Sequence, residues 1–123
     1  EHLIDAFMPR TRRNNTYCKT LSGVSDERIK SVRTIDGLRE VFNNDRYHKV
    51  NFEAYSRHRT VEFRQHSGTT NFTKMENWIR FLNGLITFAK RSSLPSRMTL
   101  EELPFLDGKQ KLFFKLRTKK LAV

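Results

Sequence analysis

The sequence predicts an α+β fold: an antiparallel β-hairpin or small sheet with a long helix packed on its apolar face, and short helices on either flank. Three observations lead there. Residues 48–53 and 60–66 each alternate polar and apolar side chains, the period-two pattern of half-buried strands. Residues 71–90 repeat apolar side chains at helical spacing. The other apolar clusters are short and follow residues that cap helices.

Taken in order, Leu3, Ile4, Phe7 and Met8 fall at helical spacing until Pro9 biases the chain away from helix. A basic loop from Arg10 to Asn15 leads into a short extended run, Thr16-Tyr17-Cys18, and Ser22, Gly23 and Ser25 mark a turn. Asp26 can cap a short helix containing Ile29 and Val32, and Thr34 a second containing Leu38, Val41 and Phe42. Asn43-Asn44-Asp45 is a turn signal ahead of the first alternating run, and residues 54–59 connect it to the second. In the long helix one apolar row runs through Phe72, Met75, Ile79, Leu82, Ile86 and Ala89, and another through Trp78, Phe81, Leu85 and Phe88. Both rows are expected to be buried, with Trp78 in the core. The remaining stripe, Asn77, Arg80, Gly84 and Thr87, faces solvent, a cleft or close-packed backbone. Residues 92–96 read as a linker, Thr99 with Glu102 as a capping box, and residues 110–120 as a basic helix with Leu112, Phe113 and Leu116 inward.

At 123 residues the chain is the size of one domain, or of the C-terminal portion of a larger one. It divides into a helical and looped lead-in (1–46), the hairpin (47–67), the central helix (71–91) and C-terminal helices (99–120). No apolar run approaches the ~20 residues of a membrane-spanning helix. The single cysteine, Cys18, excludes an internal disulfide framework and a cysteine-rich metal site, so a reducing, cytoplasmic location is the default expectation. Twenty-four Lys and Arg against thirteen Asp and Glu give a formal charge of +11, which favours anionic partners. No P-loop, zinc-finger, helix-turn-helix or RNA-recognition spacing occurs.

On the second strand, alternation puts Val61, Phe63 and Gln65 on one side and Thr60, Glu62, Arg64 and His66 on the other. On the first, Val50 and Phe52 mark the buried side and send Lys49, Asn51 and Glu53 to the polar one. The result is a polar floor containing Lys49, Asn51, Glu53, Glu62, Arg64 and His66. A carboxylate suits magnesium, a guanidinium grips phosphate oxygens in pairs, and an imidazole carries a proton or a metal. An ordinary solvent-facing strand has the same alternation. Cys18 reads as a buried, inert thiol, and His2, His48 and His58 as surface residues.

Val50-Asn51-Phe52, then the string Thr60-Val61-Glu62-Phe63-Arg64-Gln65-His66-Ser67-Gly68-Thr69, then Asn77-Trp78-Ile79-Arg80 resemble the amidoligase family, of the wider glutamine synthetase and glutamate-cysteine ligase superfamily. Residues 9–18 resemble the family's segment ahead of this core. The resemblance implies ATP- and magnesium-dependent joining of a carboxylate to an amine through an acyl phosphate. It implies Glu62 as a metal ligand, Arg64 and His66 as catalytic residues, and Arg64, Lys49, Arg12 and Arg13 as nucleotide contacts, with Arg10 a further candidate. The partners it implies are a nucleotide and a carboxylate and amine substrate pair. Family members open with strands that supply more acidic ligands in a Glu-x-Glu-like pattern, and no such strand precedes Glu62 here. The chain therefore resembles the C-terminal half of such a domain. The alternative is a non-enzymatic basic module that binds nucleic acid or another polyanion, and it rests on charge.

Overall fold

In the computed structural model, which describes residues 1–95 and 97–122, the elements run α1 (His2–Asp5), a 3-10 turn (Arg10–Arg12), α2 (Asp26–Ser31), α3 (Ile35–Val41), β1 (Val50–Asn51), α4 (Ala54–His58), β2 (Glu62–Phe63), α5 (Phe72–Ala89), a second 3-10 turn (Leu100–Glu102) and α6 (Gly108–Leu121). The class is α+β, with one two-stranded antiparallel sheet and one long helix, as expected. Ser96, in the expected linker, lies outside the described residues. The chain forms two compact units, one of Glu1 with Pro9–His66 and one of His2–Met8 with Ser67–Val123.

In the first unit, side chains set the helix starts. Ser25, one residue before the expected Asp26, caps α2 by accepting the Arg28 N–H at 3.2 Å. This leaves Asp26 and Glu27 in the first turn, where the helix dipole favours acids. Thr34 caps α3 as expected, accepting from Gly37 at 3.0 Å. Asn43 and Asn44 then both take left-handed backbone (φ 56° and 53°), which asparagine tolerates better than most residues. The run Thr16-Tyr17-Cys18 is not extended: Asn15 and Cys18 exchange backbone hydrogen bonds and the Asn15 side chain accepts from Tyr17 N–H, so the chain reverses there.

The strands are shorter than the alternating runs. Val50 pairs with Phe63 and Asn51 with Glu62. Asn51 Oδ1 accepts the Glu53 N–H at 2.9 Å, an Asx turn that ends β1 and leads into α4, where a plain connection was expected. Arg59 ends α4 in left-handed backbone (φ 57°), its N–H bonded to Tyr55 O at 2.9 Å. On the far side of β1, Lys19 N–H donates to Tyr47 O (2.7 Å) and Lys49 N–H to Lys19 O (3.0 Å), so a third segment runs alongside the sheet. Val41, Phe42 and Cys18 are buried. Phe42 stacks on Phe52 at 5.5 Å and meets the His48 ring at 5.3 Å. His48 is thus half-buried, unlike the surface residue expected.

The second unit packs around Phe7, whose ring lies 4.5 Å from Phe114, 5.4 Å from Phe81 and 6.4 Å from Trp78. Asn71 caps α5 by accepting the Lys74 N–H, and Trp78 and Phe81 are its buried residues. The other apolar row is not buried: Phe72 is 71% exposed and Ile79 65%, with Met75 and Ile86 also exposed. Gly84 permits close packing, because a Cβ there would lie 2.7 Å from Phe105 Cδ2. The Thr99–Glu102 capping box forms as expected. In α6, Gln110 and Phe114 face inward, whereas Leu112 and Leu116 are more than half exposed. The expected register fails because Asp107 and Gln110 form a capping box that fixes Gln110 at the third helical position, and Phe114 follows one turn later. Among the described residues no helix is long and apolar enough to cross a membrane.

Gly84→Val is expected to lower stability by about 1–3 kcal/mol through overpacking against Phe105, measured as a shift in the urea midpoint. In a Phe105→Ala background that penalty should largely vanish. Arg59→Gly should raise the midpoint, since a non-glycine left-handed residue costs about 1–2 kcal/mol and the Arg59–Tyr55 cation–π contact returns about half of that at an exposed site. An unchanged or lowered midpoint would show that the Arg59 side chain carries more than this contact.

Candidate functional site

The backbone of Arg64 is fixed before its side chain is considered. Its N–H donates to Lys49 O at 2.8 Å, continuing the β1–β2 ladder, and its carbonyl accepts from the Arg12 guanidinium. Buried Cys18 lies beneath, with Sγ 3.2 Å from Arg12 O and 3.7 Å from Arg64 O. The Arg64 side chain then makes three contacts. Nε donates to Tyr17 O at 3.0 Å, Nη1 donates to Glu62, and the guanidinium carbon lies 5.4 Å from the Tyr47 ring centroid. Tyr47 also carries Arg46, at 4.8 Å from the ring, whose Nη2 donates to the hydroxyl at 2.6 Å.

These groups border a cavity of about 360 Å³ in the first unit. Asn51, Glu53, Glu62 and Arg64 come from the sheet and its Asx turn. Arg46, Tyr47, Arg57 and His58 complete the walls. Glu53 is held at both oxygens by Arg39, at 3.1 and 2.9 Å, and Arg39 is itself braced by Asp36 at 3.1 Å. Glu62 is the more exposed carboxylate, with 48% of its side chain accessible against 20% for Glu53.

Four members of the expected polar floor therefore meet in one place. Lys49 is not among them: its side chain is fully buried and Nζ lies 2.7 Å from Glu1 Oε1. The cause is its place in the ladder, bonded to Lys19 on one side and Arg64 on the other, so neighbouring segments cover it. Arg12 is a strut beneath Arg64, with its Nε buried and unbonded. His66 and Arg13 are half-buried and Arg10 is exposed, and none of them lines the cavity. Arg57 and His58 were missed because α4 was read as a loop. The signal was there: the six residues 54–59 contain neither glycine nor proline.

Two carboxylates are held below the usual carboxylate range. Burial pushes Glu1 up, but hydrogen bonds from Lys49 and Thr20 outweigh it. Asp45 is lowered by its hydrogen bond from Lys19 and by the Tyr47 N–H, which its Oδ1 accepts at 2.9 Å. Asp45 thereby fixes the residue whose ring carries Arg46 and Arg64.

The donor set does not fit a magnesium ion. Among the described residues no group of three or more His, Cys, Asp and Glu converges to hold a metal. Both cavity carboxylates are already paired with arginines, and the walls carry three guanidinium groups against these two acids. A dication is disfavoured there and an anion favoured.

A family model described as "Putative amidoligase enzyme" matches residues 1–86, more than half of the chain. Comparison with curated proteins and with solved structures returns no match.

Because Asp45 is more acidic in the folded chain than in the unfolded one, its contribution to stability is present above the ordinary carboxylate value of about 4 and fades as pH falls through its lower folded value. The gap in urea midpoint between wild type and Asp45→Asn should be full above the ordinary carboxylate range and should close as pH falls through the lowered folded value. A gap that stays constant down to acid pH would remove the Lys19 pairing as its cause.

Proposed function

Because the chain belongs to the amidoligase family, we propose that it serves an ATP-dependent carboxylate–amine ligase, with the arginine-lined cavity receiving the phosphoryl groups. In this reaction a substrate carboxylate oxygen attacks the terminal phosphorus of ATP, giving an acyl phosphate and ADP. The amine then attacks the acyl carbon, the phosphate leaves with its bonding electron pair, and the amine loses a proton as the amide forms.

The chain's own residues contribute charge and position. Arg64, preset by Tyr17 O and the Tyr47 ring, offers a guanidinium to the oxygens that gain charge in the first step. Arg46 and Arg57, also in the lining, neutralise the remaining charge. His58, also in the lining, is our candidate for the base that accepts the amine proton. Magnesium is assigned no step, since the residues lining the cavity do not fit it. Arg64 carries this reading, because it joins the family match to a guanidinium held ready in a cavity.

Isothermal titration of ATP into the full chain tests it. Arg64→Ala should weaken binding by roughly 10- to 100-fold, the range for a hydrogen bond to a charged group. Arg80→Ala, whose partner is Glu76 on the surface of α5, should leave affinity unchanged. Equal affinities for wild type and Arg64→Ala would take the nucleotide out of this cavity.

A further inference from the structure

We infer that the cavity is a metal-independent polyphosphate site in which Glu62 is a built-in counter-ion, displaced from Arg64 when the phosphate enters. This rests on the reading of the cavity as a phosphoryl site and specifies how that site is gated.

The two cavity carboxylates are held differently. Glu53 is gripped at both oxygens by Arg39, which Asp36 braces in turn, so it stays in place. Glu62 has one oxygen on Arg64 and nearly half of its side chain in solvent. An ion pair this exposed is weak, because water screens it and the side chain is free to rotate away. Arg64 does not depend on it. Without Glu62 the guanidinium keeps the Tyr17 carbonyl and the Tyr47 ring, and its backbone keeps Lys49, Arg12 and Cys18. The pair is asymmetric: the cation is built in and the anion is loose.

Charge decides what replaces it. With Glu62 swung out, Arg46, Arg57 and Arg64 face the cavity and Glu53 is offset by Arg39. Three arginines in the lining, two of them against the Tyr47 ring, match several phosphate oxygens rather than one carboxylate, since each guanidinium offers paired donors in a fixed plane. A ligand carrying two or three linked phosphates satisfies them together, whereas a dication entering first meets net positive walls. Held on Arg64, Glu62 makes the cavity selective, because a ligand must outcompete a carboxylate to enter.

The probe is inorganic tripolyphosphate, titrated into the full chain in EDTA and again in excess magnesium. The expected result is binding in EDTA, tightened about 2- to 5-fold by Glu62→Gln, the range set by loss of an exposed ion pair, and returned toward wild type by Glu62→Asp. Far-UV circular dichroism of each variant guards against misfolding. Binding that appears only with magnesium, or that weakens in Glu62→Gln and recovers in Glu62→Asp, would make Glu62 a metal ligand and overturn the inference. No binding in either buffer would also overturn it. Either failure is separable from failure of the ligase reading, which turns on Arg64 and ATP.

Discussion

The two backbone hydrogen bonds on either side of Lys49 hold the cavity face together. Its N–H reaches Lys19 O and its carbonyl receives the Arg64 N–H, which sets three separate segments abreast. From the Lys19 side come Tyr17 O and Cys18, from the middle Tyr47 and Asn51, and from the Arg64 side Glu62. Each contact that fixes the Arg64 guanidinium comes from one of these segments. The buried ammonium of Lys49 is the cost of this arrangement. Taking a charge out of water is expensive, and the Glu1 carboxylate at 2.7 Å offsets it only while paired, so this ion pair favours one register over its neighbours more than it adds net stability.

The surroundings of that ladder are built to be specific. Asp45 ties Lys19 to the Tyr47 backbone, linking the edge segment to the ring that carries Arg46 and Arg64. Arg39 does the same for Glu53 from α3. By contrast, α4 ends in a left-handed arginine, where glycine or asparagine would be easier. Strain of this kind is characteristic of sites where a side chain is kept for a reason other than stability. Arg57, His58 and Arg59 lie together at that helix end, beside the cavity. The second unit has a different logic, an aromatic core around Phe7.

Periodicity in the sequence identified a face but could not say what covers it. Glu62 and Arg64 fall on one side, as alternation predicts, because the ladder of β2 continues through the Arg64 N–H to Lys49 O. The same rule put Lys49 with them and was overruled, since Lys19 pairs along the edge that alternation assumed to be open. In α5 the spacing marked two apolar rows, and only the one with Trp78 and Phe81 found aromatic partners. In α6 the cap outranked the apolar pattern: Gln110 is buried and Leu112 is not, because the Asp107 box fixes the first turn before any leucine can choose a side. The cavity was half legible for a related reason. Its sheet residues followed a period, whereas Arg57 and His58 sit on a five-residue helix too short to show one.

The net charge of +11 draws anions to the whole molecule but does not choose where they bind, since both units carry a basic excess. Choice needs fixed geometry. On the surface of α6, Lys119 and Lys120 are exposed single charges on flexible stems, adequate for loose, salt-sensitive attraction. In the cavity the cations are all arginines, and at least two are held against an aromatic ring, which removes rotamer freedom before a ligand arrives. Preorganisation of this kind favours a charge that develops during a reaction, because the donors need not move as it forms. A site meant only to gather polyanions gains little from it. The holding of Arg64 by three segments of chain, and not the net charge, is therefore what the proposed phosphoryl role rests on.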